Sequence, residues 1–132
     1  MSSSQKARIL VVDDEPDLTL VIKYGLESAG YLVDAFNNPE QALSHFKPDY
    51  YDLMLFDVRM PKINGFQLYR EIRKIDSKTK VCFMTAFDIY LKEFEKIFPS
   101  YDIKCFIKKP IKIKDLQAMV KGQLENNPES PT

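Results

Sequence analysis

The chain has 132 residues and carries 19 basic against 19 acidic side chains. That length makes one domain, which loses about two thirds of its unfolded surface on folding, and leaves no room for a second. Balanced charge supplies no overall field toward nucleic acid or an anionic membrane, so any partner must be recognised by a local patch.

Residues 1–7 are polar and read as a flexible segment, without the charged-then-apolar layout of a signal peptide. No stretch approaches the roughly 18 apolar residues of a membrane helix. Cys82 and Cys105 fall inside apolar runs rather than in a CxxC pattern. Inert, reduced core thiols and a cytoplasmic location are therefore expected.

Apolar runs and helical patterns then alternate along the chain, as βαβ units with a parallel sheet require. The first run, 9–12, is wholly apolar and ends in Asp13-Asp14. Pro16 opens a helix with Leu18, Val21, Ile22, Leu26 and Ala29 on one face, closed by Gly30. A second run, 32–36, carries the charge of Asp34, and Asn38-Pro39 starts a shorter helix with Ala42, Leu43 and Phe46 inward.

The third run, 53–56, ends in Asp57, and a helix begins near Asn64-Gly65 with Leu68, Tyr69, Ile72 and Ile75 repeating. The fourth, 81–84, ends in Thr85 and precedes a helix carrying Tyr90, Leu91, Phe94, Ile97 and Phe98, stopped by Pro99. The fifth, 103–107, ends in Lys108-Lys109-Pro110, and the last helix uses Ile113, Leu116, Met119, Val120 and Leu124. The domain thus spans 8–124, and residues 125–132 read as a disordered tail.

Runs one, three and four are apolar throughout, as strands covered on both faces should be, whereas runs two and five carry charge and read as edges. With right-handed crossovers this favours a flavodoxin-like (βα)5 three-layer sandwich, its parallel five-stranded sheet ordered 2-1-3-4-5. Asp57 then ends the central strand, with Asp13-Asp14 and Thr85 about 4.8 Å away on either side. Lys109 starts roughly 10 Å off, a gap that a long flexible side chain covers.

Three crowded carboxylates repel one another unless a cation joins them. An all-oxygen set suits Mg²⁺, with Mn²⁺ as a substitute, and a metal beside a lysine and a hydroxyl describes a phosphoryl site. Asp57 is the natural nucleophile there, forming an aspartyl phosphate. Asp13-Asp14-Glu15 also has a plainer reading, as acidic capping of the first helix.

Val11-Val12-Asp13-Asp14-Glu15-Pro16, Asp57-Val58-Arg59-Met60-Pro61 with Gly65 following, Met84-Thr85-Ala86 and Phe106-Ile107-Lys108-Lys109-Pro110 together resemble the receiver domain of two-component response regulators, over roughly residues 8–124. The resemblance implies that Asp57 takes its phosphoryl group from a histidine kinase's phosphohistidine, from a phosphotransfer protein or from a small acyl phosphate. It implies Mg²⁺ on Asp14, Asp57 and the Arg59 backbone carbonyl, with Asp13 acting mostly through water, and phosphoryl oxygens on Lys109, Thr85 and the Ala86 amide. Such a domain catalyses only its own phosphorylation and dephosphorylation, and the resemblance implies a cis bond at Lys109-Pro110.

In the same reading Thr85 and Phe106 form a switch that changes the face made by the fourth helical segment, the fifth strand and the last helix, where a downstream protein binds. Phe106 stands where many relatives have tyrosine. The chain is expected to be a monomer or a phosphorylation-dependent dimer, with neither direct nucleic-acid binding nor membrane insertion. Arg59 and Phe87, each two residues past a site residue, should stand at the mouth and hinder attack by water.

Two rivals share parts of this pattern. A haloacid-dehalogenase-like phosphatase also uses an Asp nucleophile with Mg²⁺, but needs a second Asp two residues on, where this chain has Arg59. A flavodoxin-like cofactor binder needs a phosphate-cradling loop after the first strand, where this chain has Asp-Asp-Glu.

Overall fold

Apolar strands need cover on both faces, and the helices supply it. The computed structural model describes residues 6–86 and 105–125. Strands β1 (Arg8–Val12), β2 (Leu32–Phe36), β3 (Leu53–Asp57), β4 (Lys80–Thr85) and β5 (Phe106–Lys108) alternate with helices α1 (Pro16–Ser28), α2 (Pro39–His45) and α3 (Gly65–Arg73), and helix α4 (Ile113–Glu125) follows β5. The sheet is parallel throughout and ordered β2-β1-β3-β4-β5, as expected. The helix expected over 90–98, the start of the fifth run with Lys104, and residues 126–132 of the expected tail lie outside the described residues, while Glu125, placed in that tail, ends α4 instead.

Successive side chains on a strand point to opposite faces, which divides each run between two cores. Ile9, Val11, Leu55, Cys82 and Met84 meet Ile22 and Leu26 of α1 and Leu116 and Val120 of α4. Leu10, Val12, Met54, Phe56 and Phe83 meet Ala42 of α2 and Leu68, Tyr69 and Ile72 of α3. Each large side chain buried this way contributes about 1.5–3 kcal/mol.

Local signals start the helices. Asn38 Oδ1 accepts hydrogen bonds from the Glu40 and Gln41 amides with Pro39 in the first turn, and Asn64 and Gln67 cap α3 reciprocally. Helices α1 and α4 pack closely at Gly25, where a Cβ would come within 2.7 Å of Ile113 Cγ2 and where Gln117 Nε2 donates to the glycine carbonyl at 2.7 Å.

The helix faces differ from expectation in several places, Ala29 among them, which was placed inward and is exposed. Val21 is half exposed, while Thr19 is buried. One residue is about 100° of helix, so a face centred on Ile22 and Leu26 turns Val21 outward. Thr19 tolerates burial because its hydroxyl donates to the Pro16 carbonyl and accepts from Asn37 Nδ2. Ile75 is exposed, since α3 ends at Arg73.

Cys82 and Cys105 form a disulfide, where free thiols were expected. Pairing of Phe83 with Phe106 sets the two preceding residues side by side on adjacent strands. Spacing in the sequence carries no trace of that pairing.

Asp76 ties the turn after α3 to the loop before β3. It accepts from the amides of Asp49, Lys78 and Thr79 and from the Thr79 hydroxyl, at 2.8–3.2 Å. Burial pushes its carboxyl up, but these bonds outweigh burial and hold it below its ordinary value of 3.8. Asp76→Ala is expected to cost about 2–4 kcal/mol in urea unfolding at neutral pH. A depressed carboxylate stabilises above its unfolded pKa and loses that contribution as pH falls through the folded one, so the gap between variant and parent should close below about pH 4.

Candidate functional site

The carboxyl ends of β1, β3, β4 and β5 bring the expected residues together. Asp13 follows β1, pinned by its amide donating to the Phe36 carbonyl at 3.1 Å and by Asn37 Nδ2 donating to its own carbonyl at 2.9 Å. Asp57 ends the central strand and is 5% exposed. Thr85 ends β4 and is buried; its carbonyl accepts from the Lys109 amide at 2.8 Å. The Lys109-Pro110 bond is cis, as expected.

Lys109 crosses the gap between strands. Its Nζ lies 2.8 Å from Asp13 Oδ2, 3.1 Å from Glu15 Oε1 and 3.3 Å from Asp57 Oδ1. Lys108, the last residue of β5, is exposed. A cavity of about 310 Å³ opens above this cluster, lined by Asp14, Glu15, Asp57, Arg59, Thr85, Ala86 and Lys109. Gly65 lets α3 start against the backbone of Asp57 and Val58, with its amide donating to the Val58 carbonyl at 2.9 Å.

Electrostatics follow from burial and crowding. Desolvation, then the neighbouring Asp13 charge, raises Asp57 to about 7 against the opposing pull of Lys109. Burial likewise raises Asp13, although Lys109 and the Glu15 amide pull it down. Burial alone would lower Lys109, but bonding to Asp13 and the charges of Asp13 and Asp57 hold it above the usual lysine range.

Carboxylate oxygens of Asp13, Asp14 and Asp57 all lie within 4.8 Å of one another. Asp13 Oδ1 is satisfied by the Glu15 amide at 2.9 Å, whereas Oδ2 is buried with no hydrogen bond, only the ion pair to Lys109. A buried carboxylate oxygen held only by an ammonium, beside two more carboxylates, is an all-oxygen donor set that fits a hard divalent cation.

Phe106 is half buried, its ring 5.8 Å from that of Phe83, and does not line the cavity. Arg59 does line it; Phe87 lies outside the described residues. Of the capping alternative for the acidic run, the side-chain cap is missing, since Glu15 holds the N-cap position of α1 but makes no side-chain cap bond. The Glu15 contact with Lys109 and the anchoring by Asn37 were not anticipated. The third acidic residue is plain in the sequence, but the lysine it meets stands 94 positions away.

A doubly wound sheet with clustered carboxylates, a lysine and a hydroxyl at one edge defines a phosphoryl-handling α/β domain. The sequence profile of the response regulator receiver domain matches residues 9–121, and the chain belongs to that family, the phosphorylated modules of two-component signalling. It is 31% identical over 123 residues to the uncharacterized transcriptional regulatory protein YkoG of Bacillus subtilis, covering 93% of this chain and 53% of that one.

Among solved structures, a CheY-like receiver domain protein from Methanospirillum hungatei is similar at TM-score 0.80 and 25% identity, covering 92% of this chain and 95% of that one. The response regulator TrrA of Thermotoga maritima, solved in complex with Mg²⁺ and a beryllium fluoride, is similar at TM-score 0.74 and 31% identity, covering 89% and 98%. The chain spans about half the length of the full-length regulators it matches. No helix among the described residues is long and apolar enough to cross a membrane.

Proposed function

We propose that Asp57 accepts a phosphoryl group from a sensor histidine kinase, a phosphotransfer protein or a small acyl phosphate. The observation that carries this reading is the placing of a buried carboxylate at the end of the central strand, with the Lys109 ammonium 3.3 Å from it and an open cavity above. A carboxylate oxygen attacks phosphorus, the bond from phosphorus to the donor's nitrogen or oxygen breaks, and its electron pair leaves with the donor. Lys109 and Thr85, with the Ala86 amide, bind phosphoryl oxygens, where fixed donors stabilise the charge spreading over them.

Asp13, Asp14, Asp57 and the Arg59 backbone carbonyl would hold Mg²⁺, which when bound supplies charge neutralisation at the carboxylates and phosphoryl oxygens. Before transfer Lys109 satisfies Asp13 and Asp57 together. Once Asp57 is esterified it no longer carries that carboxylate charge, and the ammonium is free to engage the phosphoryl group instead.

Thr85 then moves toward the phosphoryl group and the Phe106 ring follows, which biases the surface around β5 and α4 toward a downstream protein. A cytoplasmic location, where a kinase and Mg²⁺ are at hand, belongs to the same reading. The phosphatase alternative gains nothing, because the general-acid position is filled by Arg59 and the matched profile is that of receivers.

Incubation with Mg²⁺ and acetyl phosphate, read by intact mass, tests the reading. The parent chain is expected to gain a single phosphoryl group, lost on chelation of the metal beforehand and absent in Asp57→Asn. Full labelling of Asp57→Asn, or sustained turnover of unrelated phosphomonoesters, would sink it.

A further inference from the structure

Among the described residues, Glu15 is the one group contacting the Lys109 ammonium that the proposed transfer does not use. Its backbone is pinned, the amide donating to Asp13 Oδ1 at 2.9 Å and the carbonyl accepting from the Thr19 amide at 3.1 Å. Its side chain is 63% exposed and reaches over to Lys109 Nζ at 3.1 Å, whereas the Asp13 side chain is wholly buried and that of Asp57 is 7% exposed. Of the three carboxylates on this ammonium, Glu15 alone can swing into solvent without moving a strand.

It also lines the cavity through which a donor must come. A phosphoryl donor arriving there meets a further negative charge, and the phosphoryl oxygens need an N–H donor that Glu15 occupies. Both effects oppose entry, and both grow with the negative charge on the donor.

We propose that Glu15 is a positioning residue that acts through Lys109: a displaceable counter-ligand that makes the site discriminate among phosphoryl donors by charge, disfavouring small dianions. The inference rests on Asp57 being the phosphoacceptor. A protein donor, bound through contacts elsewhere on the surface, offsets the entry penalty. Free acyl phosphates have no such contacts, so Glu15 slows the domain's reaction with them. With acetyl phosphate the phosphorus–oxygen bond to the acetyl group breaks, one to Asp57 forms, and acetate leaves with the electron pair.

The test compares the intact chain with Glu15→Gln, which removes the charge and keeps an acceptor for Lys109. Single-turnover phosphorylation is measured with saturating Mg²⁺, using acetyl phosphate, a dianion near neutral pH, and phosphoramidate, a monoanion there. Glu15→Gln is expected to react faster with acetyl phosphate by about three- to tenfold at low ionic strength, and with phosphoramidate by about two- to threefold or less. Both gains should shrink toward parity at ~1 M salt, where screening acts over about 3 Å.

A purely structural role for Glu15 would change both donors alike and would not respond to salt, and either result overturns the proposal, as does an unchanged rate in the variant while the parent is labelled. No labelling of the parent chain by either donor would instead overturn the phosphoacceptor reading, and this inference with it.

Discussion

Asp57→Asn is expected to stabilise the metal-free protein at neutral pH while abolishing phosphoryl uptake. Asp57 is a buried carboxyl raised to about 7, by desolvation first and by Asp13 second. A folded pKa above the unfolded one means that the folded state holds the proton more tightly. Stability from this group therefore falls as pH rises from about 4 to about 7, because the unfolded chain ionises more readily than the folded one.

Asn keeps the shape without the charge and escapes that cost. The gain at pH 7.5 is expected to be about 2–4 kcal/mol, or about 5–15 °C in thermal midpoint, and to vanish near pH 4. Mg²⁺ should narrow or reverse the difference, because a ligand of the folded state stabilises the parent by mass action and the variant offers it fewer charges. Thermal unfolding of both proteins across this pH range, with and without Mg²⁺, checks the claim. A midpoint for Asp57→Asn equal to or below that of the parent at pH 7.5 without metal would refute it.

Gly65→Ala should be the most damaging single-methyl change near the site. A Cβ there would collide with the Asp57 carbonyl oxygen and stand 3.0 Å from its carbonyl carbon and 3.2 Å from Val58 Cα. These are backbone atoms of the strand end that carries Asp57, so no flexible side chain can give way. Either α3 backs off, opening the core under Phe66, Leu68 and Tyr69, or Asp57 shifts.

Overpacking of this kind costs about 1–3 kcal/mol or more, and misplacing a reacting group by about 1 Å can cost about a hundredfold in rate. Gly65→Ala is thus expected to lose about 3 kcal/mol in chemical unfolding and at least about tenfold in phosphorylation rate. Gly122 in α4 is the contrast, since a methyl group added there would meet nothing within 4 Å. Gly122→Ala should therefore gain about 0.5–1 kcal/mol and react normally. Parent-like stability and rate in Gly65→Ala would show that the backbone at Asp57 yields more easily than the packing indicates.

Legibility differed by element. Strands β1, β3 and β4 announced themselves through wholly apolar runs, because a strand covered on both faces is apolar at successive positions. The edge positions of β2 and β5 were readable from single charges. Helix faces were less legible: Val21 has the right chemistry for the core, but its angular position turns it outward, while Thr19 is buried on hydrogen bonds that periodicity does not register.

The disulfide was not legible either. It depends on the register between two strands, which brings together cysteines 23 residues apart in the chain.

By itself the sequence determined which groups stand at the strand ends and the order of the strands, and hence that Asp13, Asp14, Asp57, Thr85 and Lys109 share one sheet edge. Local pattern suffices there, since burial and alternation are properties of short segments. Only the tertiary structure decided that Lys109 is divided among Asp13, Glu15 and Asp57, that Gly65 abuts the Asp57 backbone, and that burial raises the Asp57 carboxyl to about 7. Those are distances and desolvation between residues far apart in sequence, and they come into being only when the sheet closes over its core.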